Sequence, residues 1–253
     1  MSYNDRKEQI LTLLEQKNSI EVATLPKLLF ASEATVRRDL ARLEKEGLII
    51  RSHGKAVSVN LFADKCTSFD QRESAFSDEK QKISEAAVKE LVKEGFVVIL
   101  DASSTVLNTV NYLKEINNII VVTSGINTLI ELTKTNLRFY STGGRAINAS
   151  SSFVGQTAID TLKTFNADIC FVSCHGLSTD GYVTDTSERE NDLRKVMMKQ
   201  SKRRVLLIDE SKIGVNCWHN LCHISEFDDV YCNVSLPEVI AASIKKFHLV
   251  DYE

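Results

Sequence analysis

Ala31-Ser32-Glu33-Ala34-Thr35-Val36-Arg37-Arg38-Asp39-Leu40, followed by Leu43-Glu44, Gly47-Leu48 and Arg51-Ser52-His53-Gly54-Lys55-Ala56, decides how this 253-residue chain begins. Ser32 is an N-cap residue: its hydroxyl can accept an amide hydrogen left free at the start of a helix. From there Val36, Leu40 and Leu43 recur at helical spacing and mark a buried stripe. Ser32, Thr35 and Arg38 fall elsewhere on the cylinder, near its N-terminal end. That end of a recognition helix meets base edges, and its dipole also favours phosphate. Two adjacent arginines cannot both point at a groove floor, so Arg37 and Arg38 divide between a base and a phosphate.

Working outward, Ile10, Leu13 and Leu14 form the apolar face of an upstream helix. Ile20, Val22, Leu25, Leu28 and Leu29 predict a second helix, with Pro26 tolerable only in its first turn. Gly47 is placed to close the third helix. Residues 48–51 and 56–59 read as two strands across a His53-Gly54 turn. Three helices and a hairpin make a winged helix-turn-helix over residues 1–60. Arg51, His53 and Lys55 would stand on the wing and reach the phosphate backbone, fixing register while the helix reads sequence.

This pattern resembles the DeoR family of bacterial transcriptional regulators. The resemblance rests on Arg6, Ile10, Leu13, Ser32, Thr35, Arg37-Arg38-Asp39-Leu40, Leu43-Glu44, Gly47 and Arg51-Ser52-His53-Gly54. Lys55 departs from it, standing where the family commonly has glycine and adding a positive charge to the wing tip. The resemblance implies double-stranded operator DNA as a partner.

The net charge of −3 argues at first against such a partner. Residues 1–60, however, carry 10 Lys and Arg against 8 Asp and Glu, and the remainder carries 21 against 26. The basic character is local, and distribution matters more than the total when phosphate is the partner. The hydrophobic fraction of 43% is ordinary for a globular protein. No apolar run approaches the ~20 residues a membrane helix needs, and residues 1–6 lack the apolar stretch of a signal peptide. The expectation is a cytoplasmic protein without a membrane partner, its six cysteines reduced. Cys174-His175, Cys217-x-His219 and Cys222-His223 lack the paired spacing of a structural zinc site, so neither metal nor cofactor is expected.

Residues 61–79 are polar and read as a linker, with Ser77-Asp78 placed to cap the next helix. From residue 80 to 253 strands and helices alternate. Continuously apolar, β-branched runs at 96–100, 119–123, 137–141, 169–173, 205–208 and 230–232 predict buried strands. Helical stretches are expected at 106–113, 126–132, 157–162, 193–199 and 236–247. The alternation predicts an α/β domain with a mainly parallel sheet, in which ligands bind beyond the carboxyl ends of the strands.

Those ends share a character. They carry Asp101, Ser103, Ser104 and Thr105; Thr123 and Ser124; Thr142, Gly143, Gly144 and Arg145; His175 and Gly176; and Asp209 to Lys212. Hydroxyl and glycine loops that open helices leave amides free for an anion. With Arg145 and Lys212 on phosphate, and Asp101, Thr105 and Glu190 at the sugar end or organising the loops, they predict a pocket for a small phosphorylated, polyhydroxylated effector.

The family resemblance continues through Asp101, Ser104-Thr105, Thr123, Thr142-Gly143-Gly144, Val154-Gly155, Gly176, Gly181, Thr184, Glu190, Asp209 and Ser211-Lys212. It implies a sensor domain of the sugar-phosphate isomerase-like type and a repressor of sugar metabolism. Ser103, Ser124 and Cys174-His175 depart from the usual residues. An enzyme of the same fold is the competing reading, since Asp101, Glu190 and His175 could move protons, but no clear acid/base pair stands out and a sensor needs only differential affinity. An architectural DNA binder without a ligand would leave the polar strand ends unexplained. One winged helix makes too few base contacts for a rare site, so a homodimer or homotetramer is expected.

Overall fold

A computed structural model describes residues 3–17, 19–45, 48–52, 55–58 and 69–251. The chain forms two compact units, Met1–Thr67 and Ser68–Glu253. In the first, helices α1 (Tyr3–Lys17), α2 (Leu25–Leu28) and α3 (Glu33–Lys45) enclose Ile10, Leu14, Leu25, Leu29, Val36, Leu40 and Leu43, all essentially inaccessible to solvent. Burying each such side chain removes about 1.5–3 kcal/mol of apolar surface from water. Three short antiparallel strands, β1 (Ser19–Glu21), β2 (Ile49–Ser52) and β3 (Lys55–Ser58), complete the unit in the order β1-β3-β2.

The second helix is shorter than its apolar residues imply. Ile20 lies in β1 opposite Ala56, and the chain turns at residues 22–24 before α2 begins. β-branched Ile20 gains more by closing the wing sheet than by extending a helix, which Pro26 confines to a start at its own first turn. Gly47, His53-Gly54 and Val59, expected to cap α3 and form the wing turn and its last strand residue, lie outside the described residues.

The second unit opens with two helices, α4 (Phe69–Ser74) and α5 (Ser77–Leu91). The stretch read as linker is therefore helical from residue 69. Phe69 and Arg72 are buried, so its polar composition conceals one inward-facing side. Phe76, not Ser77, occupies the N-cap position of α5, with φ of 56°.

Seven parallel strands follow: β4 (Val97–Leu100), β5 (Ile120–Thr123), β6 (Arg138–Ser141), β9 (Ala167–Val172), β12 (Ser201–Ile208), β14 (Asp229–Cys232) and β15 (Phe247–Leu249). Their spatial order is β15-β14-β12-β9-β4-β5-β6. β4 through β6 run one way from the centre and β9 through β15 the other, so the order reverses between β4 and β9. The inner strands are almost wholly buried and feed two apolar layers, one around Ile99, Val172, Leu206 and Met197, the other around Val98, Phe171, Leu207 and Tyr231.

Between these strands lie α6 (Ser104–Leu107), α7 (Val110–Leu113) and α8 (Ile126–Leu132). The expected single helix at 106–113 is thus two short ones. The hairpin β7 (Arg145–Ile147) and β8 (Ser152–Val154) precedes α9 (Gln156–Leu162). A small antiparallel sheet joins β10 (Gly176–Leu177), β11 (Tyr182–Asp185) and β13 (His219–His223), and α10 (Glu188–Lys199) leads into β12. The helix expected over 236–247 is another correction. Only α11 (Glu238–Ala241) forms, after Pro237, and Phe247 enters the edge strand β15 opposite Val230. An added parallel partner for β14 satisfies backbone groups that a longer helix would leave open. No described helix is long and apolar enough to cross a membrane.

Candidate functional site

In the first unit α3 begins as its sequence requires. The Ser32 hydroxyl accepts the Thr35 amide hydrogen at 3.3 Å, and the two hydroxyls lie 2.9 Å apart. Val36, Leu40 and Leu43 point inward, while Ser32, Arg37 and Arg38 are exposed and Thr35 is half-buried. Asp39 faces inward, paired with Arg6 of α1 at 2.6 Å and 3.2 Å. Arg37 approaches Glu33 at 3.6 Å, one turn back on the open surface. Such an exposed pair is worth a few tenths of a kcal/mol, so it holds Arg37 only weakly. Lys55 is exposed on β3, and the Arg51 backbone pairs with Ala56 across the wing; His53 lies outside the described residues.

In the second unit the polar strand ends of the sequence come from adjacent strands. In sheet order β12, β9, β4, β5 and β6 end at Asp209 to Lys212, Ser173 to Gly176, Asp101 to Thr105, Thr123-Ser124 and Thr142 to Arg145. Asp101 stands at the reversal point and closes it. One carboxylate oxygen accepts the Ser103 amide at 3.0 Å; the other accepts the Ser173 amide of the neighbouring strand end at 3.1 Å. Ser103 caps α6 by accepting the Val106 amide at 3.2 Å. Thr123 accepts the Gly125 amide at 3.0 Å, and its carbonyl accepts from Thr142 at 3.0 Å. Gly143 and Gly144 have φ of 59° and 106°, and at Gly144 a Cβ would lie 2.7 Å from the Val154 carbonyl oxygen. A side chain there is excluded on both counts.

Arg194 of α10, which sequence reasoning missed, organises the crevice. Its Nε donates to Asp101 at 2.9 Å and its Nη1 to Asp185 at 2.6 Å, with Asn191 Oδ1 at 3.2 Å. All three charged residues are at most 4% exposed. His175 Nδ1 lies 3.0 Å from the second Asp185 oxygen, which also accepts the Thr186 and Ser187 amides at 2.7 Å and 3.1 Å. Burial alone would raise the Asp185 pKa, but Arg194, His175 and these amides hold it well below the usual carboxylate range. The sequence signals that could have found this centre are the Asp185-Thr186-Ser187 run before a helix and the Glu190–Arg194 spacing.

Glu190, Ser124, Asp101, Ala102, Leu193, Arg194 and Met197 line a cavity of about 10 Å³, room for roughly one water. Lys212 is buried, 5% exposed, rather than a surface lysine. It lowers the pKa of Asp209, against the effect of burial and together with Lys80. Ser104, Thr105 and Thr142 are buried too. Gly176 lies against the Val215 carbonyl, which a Cβ would overlap. Arg145 stands apart, exposed at the start of the hairpin. No group of three or more His, Cys, Asp and Glu among the described residues could hold a metal ion.

Comparison with known proteins agrees with both units. The model of the DeoR-like helix-turn-helix domain matches residues 6–61, and that of the DeoR C terminal sensor domain matches residues 75–233. The chain is 35% identical to the HTH-type transcriptional regulator GolR of Listeria innocua, over 83% of each chain. It is 30% identical to the lactose phosphotransferase system repressor of Staphylococcus epidermidis, over 91% of this chain and 92% of the other. Among solved structures, ribose 5-phosphate isomerase A of Methanocaldococcus jannaschii superposes with a TM-score of 0.41 at 19% identity, covering 55% of each chain. By sequence along both units, the chain belongs to the DeoR family of helix-turn-helix transcriptional regulators.

Proposed function

We propose that the protein is a repressor of a sugar-metabolism operon, released from its operator by a phosphorylated sugar intermediate. The observation that carries this reading is the crevice at the strand-order reversal, where five hydroxyl- and glycine-rich strand ends meet buried Asp101, Arg194, Glu190 and Lys212. Polyols are recognised by carboxylates and hydroxyls, and anions by amides and cations, and both sets stand at one edge of this sheet. Relatives whose names speak of lactose phosphotransferase and aga operon repression support the same class. On α3, Ser32, Thr35, Arg37 and Arg38 are the residues we assign to operator contact, with Arg51, His53 and Lys55 on the wing. We assign Asp101, Ser103, Ser104, Thr105, Thr123, Ser124, Thr142, Gly143, Gly144, Gly176, Glu190 and Lys212 to the effector, together with Arg145, exposed on the hairpin. A homodimer or homotetramer would present two heads to related half-sites.

A sensor fits the crevice better than an isomerase does. A general base needs a pKa near the working pH and freedom to take up a proton without breaking the contacts that hold the site. Both Asp101 oxygens already accept from amides and Arg194, and Asp185 is held far too acidic. The test is a gel shift on upstream DNA with a panel of pentose and hexose monophosphates, run beside a turnover assay on the same compounds. Release by one compound without turnover is expected. Turnover, or operator binding indifferent to every sugar phosphate, would overturn the reading.

A further inference from the structure

α4 is the first helix of the second unit, and Arg72 projects from it into the protein rather than away. Arg72 is 8% exposed, and its buried Nε has no hydrogen-bond partner. The guanidinium lies 5.5 Å from the centre of the Phe69 ring, and the charges that bear on it are those of the crevice: Glu190, Asp185 and Asp101, with Arg194 opposing. A buried N–H of a charged group left without an acceptor is unfavourable. Burial accordingly pushes its pKa below the ordinary arginine value, and the carboxylates only partly offset this. A doubly charged phosphate is the group that a planar guanidinium satisfies through paired hydrogen bonds.

The segment carrying Arg72 is tied to the crevice from three sides. α4 packs against α6, the helix that opens from Asp101 and Ser103. The Phe69 amide donates to the Ala149 carbonyl at 3.1 Å, in the turn between β7 and β8. Lys80, 2% exposed, donates to the carbonyls of Arg72 and, at 2.6 Å, Ala75. Its ammonium also bears on Asp209, beside Lys212. The helix that leads the chain into its second unit is therefore wired to the ends of β4, β8 and β12.

Resting on the sensor reading above, we infer that Arg72 binds the anionic group of the effector, so that the effector acts directly on the first helix after the DNA-binding unit. The sequence predicts loop amides, Arg145 and Lys212 as the groups that face the phosphate; Arg72, carried by the first helix of the second unit, is a third cation for the same group.

The test uses the full chain. Inorganic phosphate, a panel of pentose and hexose monophosphates, and the corresponding free sugars are titrated calorimetrically into the wild type, Arg72→Lys and Arg72→Gln, each checked for cooperative thermal unfolding. Expected is binding of at least one monophosphate by the wild type, a loss of tenfold or more in Arg72→Gln, a smaller loss in Arg72→Lys, and no change in any free-sugar affinity. Monophosphate affinity in Arg72→Gln within twofold of wild type would overturn the assignment while leaving the sensor reading intact. A wild type that binds none of the compounds would instead sink the sensor reading, and the Arg72 assignment with it. Hydrogen exchange of wild-type residues 69–80 keeps the decision open to measurement if Arg72→Gln does not fold. Slower exchange on adding the bound monophosphate supports the link, and unchanged exchange beside a protected crevice refutes it.

Discussion

Replacing Arg194 with methionine removes the one cation shared by Asp101 and Asp185, and its consequences can be worked from the structure. The substitution keeps an unbranched apolar stem but deletes hydrogen bonds of 2.9 Å and 2.6 Å to two carboxylates that are 1% and 0% exposed. Breaking a buried ion pair from one side costs about 3–5 kcal/mol, because the charge left behind has neither water nor partner. For a domain of this size each kcal/mol moves the midpoint by about 2–4 °C, so Arg194→Met should melt about 6–20 °C below wild type. The pH dependence distinguishes this mechanism from simple loss of packing. In the wild type Asp185 is held below its unfolded pKa, so it contributes stability above about pH 4 that is lost on acidification. Without Arg194 burial meets less opposition, from His175 and the Thr186 and Ser187 amides alone, and the Asp185 pKa rises from its wild-type position. Its ionisation then costs stability above the new pKa and that cost vanishes as the group protonates. The gap between variant and wild type should therefore shrink as pH falls towards the raised pKa of Asp185 in the variant, and adding Asp185→Asn should recover part of the loss at pH 7. Urea unfolding at four pH values measures all of this. A deficit under 1 kcal/mol, or one independent of pH, would show that Arg194 does not hold the crevice together.

Four further outcomes are expected. Arg38→Ala should weaken specific operator binding by ~1–3 kcal/mol if Arg38 meets a base, whereas Arg37→Ala should weaken all sequences alike and flatten the salt dependence, both read by gel shift at matched salt; no change in either would remove α3 as the reading helix. Lys212→Ala should still bind operator yet fail to release it at the wild-type concentration of sugar phosphate, since a ligand without preference between states shifts nothing; normal release would place the phosphate elsewhere. Burial raises the thiols of Cys170 and Cys232 to about 12 and lowers Lys80 to about 8. The folded chain therefore loses stability above about pH 9, where unfolded thiols ionise, while Lys80 gains stability from about pH 8 upward as its buried charge is discharged; Lys80→Met should steepen the alkaline fall, and identical slopes would refute the assignment. Light scattering at micromolar concentration should show a dimer or tetramer, and a strict monomer with tight operator binding would contradict the two-headed arrangement.

Much of this was legible in the residues because the physics was local. Ser32 and the spacing of Val36, Leu40 and Leu43 suffice to place α3, and continuous β-branched runs at Val97–Leu100 and Ile120–Thr123 suffice for buried parallel strands. The failures share another cause: partners distant in sequence. Ile20 enters a strand only because Ala56 lies opposite, and Phe247 only because Val230 does. Arg194 becomes the keystone of the crevice through Asp101, 93 residues away. Arg72 is polar in a polar stretch, and nothing in its neighbours reveals that it turns inward. Strand ends announced which edge of the sheet matters; the charges that occupy it arrive from helices, where a lone arginine looks like any solvated one.

The run Arg37-Arg38-Asp39 looks like one basic motif, but the pairing of Asp39 with Arg6 divides it between two tasks. The arginines face outward and carry none of the packing, whereas the aspartate anchors the helix to α1. On the assignment proposed above, operator contact and the anchoring of the helix would fall to neighbouring residues. With that assignment, a new operator preference could be written at positions 37 and 38 without repacking the head, provided that Arg6 and Asp39 stay together and Ser32 keeps its cap on α3. A chimera that exchanged the ten-residue stretch 31–40 with a relative's while losing the matching arginine on α1 would inherit the new code on a helix no longer held in place.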